Sequence, residues 1–63
     1  LPLELVKGDG YFYYVYDYQD GNRLVYEDEM VYVYLLNHQT LARWVEDGRR
    51  FALETEHRYG INR

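Results

Sequence analysis

The sequence predicts an α+β domain: an antiparallel sheet of three to four strands, at about 3–7, 11–18, 23–27 and 30–36, with one C-terminal helix at about 41–58 packed on one face. Three observations predict it. Residues 11–36 are dense in Tyr, Val and Phe, the residues that fit a pleated, half-buried surface. Two short Gly/Asp clusters punctuate that stretch. From Leu41 onward the apolar period changes from two to between three and four.

Leu3-Glu4-Leu5-Val6-Lys7 alternates and reads as a short first strand, and Gly8-Asp9-Gly10 breaks it. Tyr11 to Tyr18 has the highest strand propensity in the chain. Asp20-Gly21 is a hairpin signal, with Arg23 to Glu27 as the return strand. Asp28-Glu29 then interrupts, and Met30 to Leu36 reads as a fourth strand. The alternative is one long strand over 23–36, bent at the acidic pair. These connections are too short for crossovers, so the sheet is antiparallel.

Thr40 is placed to cap the helix, whose apolar stripe runs through Leu41, Trp44, Val45, Gly48, Phe51, Ala52, Thr55 and Tyr59. Glu46–Arg50 and Glu54–Arg58 have the spacing of favourable pairs, and Gly60 stops the helix. Gly48 inside that stripe costs about 1 kcal/mol relative to Ala. It is expected to admit a Tyr or Phe from the first long strand.

Alternation separates two sheet faces. Val31, Val33 and Leu35 form the drier row, so the helix should cover their side. A hairpin centred on Asp20-Gly21 pairs Tyr18 with Arg23, Tyr16 with Val25 and Tyr14 with Glu27, leaving Tyr13, Val15, Leu24 and Tyr26 on the other face. Several of the nine tyrosines must then face away from the helix. Tyr joins large contact area to a hydroxyl at low rotamer cost, so interfaces favour it. The plainer reading is that Tyr is a good strand former whose cross-strand pairs stabilise a sheet.

Composition excludes several classes. Sixty-three residues make one domain, which buries roughly 60% of its unfolded surface and is marginal alone. Without Cys there are no disulfides, thiolate metal sites or Cys nucleophiles. No apolar run approaches membrane-spanning length and no secretory leader opens the sequence, so a cytoplasmic setting without membrane contact is expected. Ser is absent, His38 and His57 lack a third ligand at metal spacing, and Gly8-Asp9-Gly10 lacks the remainder of a phosphate loop. No enzyme activity, metal or cofactor is expected. Residues 1–29 carry seven acids against two bases, and residues 30–63 four against five. The sheet is therefore the acidic part of a chain of net charge −4, which disfavours direct nucleic-acid binding.

The block Val31-Tyr32-Val33-Tyr34-Leu35-Leu36-Asn37-His38, then Leu41 and Trp44-Val45-Glu46-Asp47-Gly48, with Gly8-Asp9-Gly10-Tyr11-Phe12-Tyr13 before it, resembles short proteins carried by bacteria and their phages. In size, acidity and lack of Cys the chain is similar to small phage-encoded inhibitors of the anti-CRISPR kind. That resemblance implies occupation of the nucleic-acid path of a host complex, and it transfers no site residues.

The expected function is non-catalytic binding of a basic, nucleic-acid-handling protein. Tyr14, Tyr16, Tyr32 and Tyr34 are expected to anchor it, with Glu27, Asp28 and Glu29 steering. Two alternatives stand beside it: single-stranded nucleic acid stacked on tyrosines, and a homodimer that buries the tyrosine face.

Overall fold

A computed structural model describes residues 2–33 and 35–62. Strands β1 (Leu3–Lys7), β2 (Phe12–Asp20) and β3 (Arg23–Val31) precede a 3-10 turn at Leu36–His38 and helix α1 (Leu41–Tyr59). The strands form one antiparallel sheet in the order β1-β2-β3. The α+β prediction is correct, with three strands among the described residues.

The first turn closes with Gly8 N–H donating to Tyr11 O at 2.8 Å, and Gly10 takes φ 80°. Only glycine adopts that value without strain. Gly21 opens the second turn at φ 64°, the position where a type II′ hairpin needs glycine. The two-residue loop is therefore Gly21-Asn22 and not Asp20-Gly21, and Asp20 pairs with Arg23. Tyr18 faces Val25, Tyr16 faces Glu27 and Tyr14 faces Glu29. This is two residues from the expected register. An even slip leaves every side chain on its predicted face.

The separate strand expected at 30–36 does not form among the described residues. Asp28 and Glu29 do not break β3, because alternation sends one to each side of the sheet. β3 ends where Val33 N–H turns back to Val31 O at 3.1 Å.

Thr40 caps α1 as predicted, its Oγ1 accepting from Arg43 N–H at 3.1 Å. Gly60, left-handed at φ 66°, ends the helix, and Ile61 N–H reaches back to Glu56 O at 2.8 Å. The buried stripe is Trp44, Gly48, Phe51 and Thr55. It is narrower than expected, because Leu41 and Val45 lie outside it and are exposed. Arg50 binds Glu29 and Glu54, and Arg58 approaches Glu27 at 3.5 Å, so both arginines tie the helix to β3.

The helix lies on the face carrying Phe12, Tyr14, Tyr16, Val25 and Val31. Phe12 and Tyr14 pack edge-on against Trp44 at centroid distances of 5.4 and 6.1 Å. No helix among the described residues is long and apolar enough to cross a membrane.

Candidate functional site

Two of the expected anchors are core residues. Tyr14 is 3% exposed and Tyr16 is 0%. Their hydroxyls are satisfied internally: Tyr14 donates to Trp44 O at 2.6 Å, and Tyr16 to Glu56 Oε2 at 2.7 Å. Burial pushes the Tyr14 phenol above its ordinary pKa, and the charges of Asp47 and Glu29 push the same way. The physical reason is parity: these rings share the Val25 and Val31 side, which the helix covers. A buried phenol is stable there because each OH finds an acceptor.

Two of the expected steering acids also belong to the helix side. Glu27 accepts from Tyr59 OH and faces Arg58, while Glu29 accepts from Arg50 at 2.6 Å. Both clip α1 to β3. Of the three acids, Asp28 alone is on the open face. Tyr34 lies outside the described residues. Tyr32 is on the open side and 76% exposed.

The open face is built in rows by the strand register. Tyr11 and Tyr32 sit at one end, with ring centroids 6.2 Å apart. Tyr11 also meets Tyr13 at 5.8 Å. The next row is Val6–Tyr13–Met30, then Glu4–Val15–Asp28, then Asp17–Tyr26, then Gln19–Leu24. Rows follow at about 7 Å, two strand residues apart. Tyr26 is 56% exposed, and Leu24 and Met30 are exposed too. Glu4, Asp17 and Asp28 supply the charge, and none of these positions is Lys or Arg.

The expected set of anchors and steering acids left out Tyr11, Tyr13, Tyr26, Met30 and Asp17, of which Asp17, Tyr26 and Met30 are exposed and Tyr11 and Tyr13 half-buried. The signal for them was parity with Val15, which separates them from the row the helix covers.

Glu4 and Asp28 flank Val15 from the two neighbouring strands. A cation laid over Val15 meets both carboxylates, and one row further it meets phenol rings. Among the described residues no three His, Cys, Asp or Glu side chains gather to hold a metal ion.

The fold and this face define a small two-layer α+β domain: one sheet face closed by a helix, the other open, aromatic and acidic. No family model, no curated protein and no solved structure matches the chain.

Proposed function

We propose that the chain is a non-catalytic protein-binding module whose open sheet face engages a basic protein of the kind that handles nucleic acid. One observation carries this reading: the face combines Tyr11, Tyr13, Tyr26 and Tyr32 with Glu4, Asp17 and Asp28 and places no Lys or Arg among them. Aromatic rings at a flat surface act as anchors, and acids of one sign attract a basic partner and repel phosphate. The acids speed encounter, and the rings then hold the complex. An inhibitory role, of the sort implied by the likeness to phage-borne proteins, follows if the bound surface is the partner's nucleic-acid path. A Cys-free chain suits a reducing compartment, so we place this binding in the cytoplasm.

The test is affinity capture from a bacterial lysate with the wild-type chain and with Asp28→Lys and Tyr32→Ala. Enrichment of basic nucleic-acid-binding proteins that are released by salt and lost with both variants is the expected result. Equal retention by both variants overturns the assignment of this face. Filter binding to single-stranded DNA at low salt is the companion measurement, and uptake of the DNA would replace protein binding with base stacking.

A further inference from the structure

The sheet has two edges, and they differ. Pro2 O accepts from Asp17 N–H at 2.9 Å, and Gly8 N–H donates to Tyr11 O at 2.8 Å. Antiparallel pairing alternates, so Glu4 and Val6 also bond to β2. Leu3, Leu5 and Lys7 therefore direct their N–H and C=O groups away from the sheet. No strand among the described residues pairs with them, since β1 is an edge.

Among the described residues no strand or bulge closes that edge. It contains no proline or glycine, and its two charges, Glu4 and Lys7, are opposite. β3, the other edge, carries three consecutive acids at 27–29, which would repel one another in a paired copy. Beside β1 runs a groove of about 460 Å³, floored by Leu3 and Leu5 and walled by Val45, Arg49, Ala52, Leu53 and Glu56 of α1. Leu5 is 41% exposed, and Val45 and Leu53 are exposed apolar residues on its wall.

We propose that β1 pairs antiparallel with β1 of a second copy of this chain, joining two sheets into one of six strands. Three registers around a two-fold axis pair at least two of the outward residues Leu3, Leu5 and Lys7 within the strand. Centring on Glu4 sets two carboxylates opposite each other. Centring on Val6 leaves Leu3 beyond the strand. Centring on Leu5 pairs all five residues: Leu5 with Leu5, Leu3 with Lys7, and Glu4 with Val6. Like charges never meet.

Charge complementarity supports the same register. Tyr16, the partner of Leu3 on β2, donates to Glu56, so Glu56 stands over the Leu3 end of β1. Lys7 lies on the same layer as Leu3 and Leu5. Opposite Leu3 of the second copy, it arrives beside that copy's Glu56, and the two-fold axis makes the contact twice. Both helices end on one side of the joined sheet, and both tyrosine faces on the other.

Sedimentation equilibrium over a wide concentration range tests this, together with Leu5→Pro. Proline at position 5 removes an outward N–H and leaves the bonds to β2 untouched. The wild type is expected to rise from the mass of one chain to that of two. Leu5→Pro should stay at one chain with an unchanged circular dichroism spectrum. Exchange of the Leu3, Leu5 and Lys7 amides should slow as the wild-type dimer forms, and this readout decides the matter if the variant fails to fold. A wild type that stays single, a dimer that survives Leu5→Pro, or edge amides that stay fast in the dimer overturns the proposal. So does a dimer lost with Tyr26→Lys and kept with Leu5→Pro, which would place the contact on the tyrosine face.

Discussion

The Tyr14 ring lies against the backbone of Gly48, so close that a methyl group at position 48 would come within 2.9 Å of Tyr14 Cε1 and 3.4 Å of Leu3 Cδ2. The ring is held there, because its hydroxyl is bonded to Trp44 O and it packs against Trp44 and Phe51. This contact sets how near the helix approaches β2.

Gly48→Ala should therefore destabilise the fold, against the usual helix preference. Alanine gains about 1 kcal/mol in an unhindered helix. Overpacking costs about 1–3 kcal/mol, and here the clashing atom belongs to a pinned ring. A net loss of about 1 kcal/mol is expected in urea denaturation. With Tyr14→Leu in the background, Gly48→Ala should become neutral or stabilising. An unchanged penalty there would show that the ring is not its cause.

Tyr14→Phe keeps the ring and deletes one buried hydrogen bond. Trp44 O also accepts from the amide four residues on, as helical carbonyls do, so no acceptor is orphaned. The expected cost is about 1 kcal/mol with the fold retained. A larger loss, or altered near-ultraviolet dichroism from Trp44, would mean that the bond orders the indole as well.

The roles of Gly48, Thr40 and Gly60 were legible in the sequence because each is a local chemical necessity: close approach, an N-cap and a left-handed stop. Face assignment was also legible, since period-two alternation survives an even register slip. The anchor set was less so. Tyr14 and Tyr16 look like Tyr11 and Tyr13 in composition, and only knowing which row the helix covers sorts them. Glu27 and Glu29 were misread for a related reason. A run of three acids reads as one patch, yet on a strand its outer members point opposite to its middle one. The end of β3 depends on a backbone reversal at Val31–Val33, where the residues themselves favour strand.

Thr55→Val should stabilise. Thr55 is fully buried, and its Oγ1 has no hydrogen-bond partner among the described residues. An unsatisfied buried hydroxyl costs about 1–3 kcal/mol, and valine has nearly the same shape. A gain of about 1 kcal/mol, or roughly 4–8 °C in Tm for a domain this small, is expected by calorimetry. A drop in Tm would show that the hydroxyl is bonded in solution.

Alkaline pH should destabilise the domain, and the phenols of Tyr14 and Tyr59 both contribute. Burial holds the Tyr14 pKa above its ordinary 10.0, and the hydrogen bond to Glu27 does the same for Tyr59. Well below pH 10.0 both are protonated whether the chain is folded or not, and their stabilisation is complete. As pH rises further, the unfolded phenols lose protons that the folded ones keep. Stability is then lost progressively up to and through the folded values. Equilibrium unfolding, followed alongside phenolate absorbance, should show this loss. Tyr14→Phe should flatten the slope, and an unaltered slope would remove Tyr14 from the effect.

The acids at 27–29 should divide into two classes when changed singly. Glu29→Gln weakens a partly exposed pair with Arg50, so about 0.5 kcal/mol of stability should go. Glu27→Gln loosens Arg58 and Tyr59 with a similar small cost. Neither faces the open rows, so neither should change association with a basic partner by more than the stability loss explains. Asp28→Lys is the reverse case. It breaks no pair that ties β3 to the helix, but it turns the Glu4–Val15–Asp28 row from net −2 to net 0. Folding should be unaffected, while the association rate at low salt falls several-fold and the dissociation rate barely moves. Stopped-flow association of all three variants with the captured partner, across salt concentrations, separates the classes. If Glu29→Gln slowed association as much as Asp28→Lys, the charge that steers would belong to the whole strand and not to its open face.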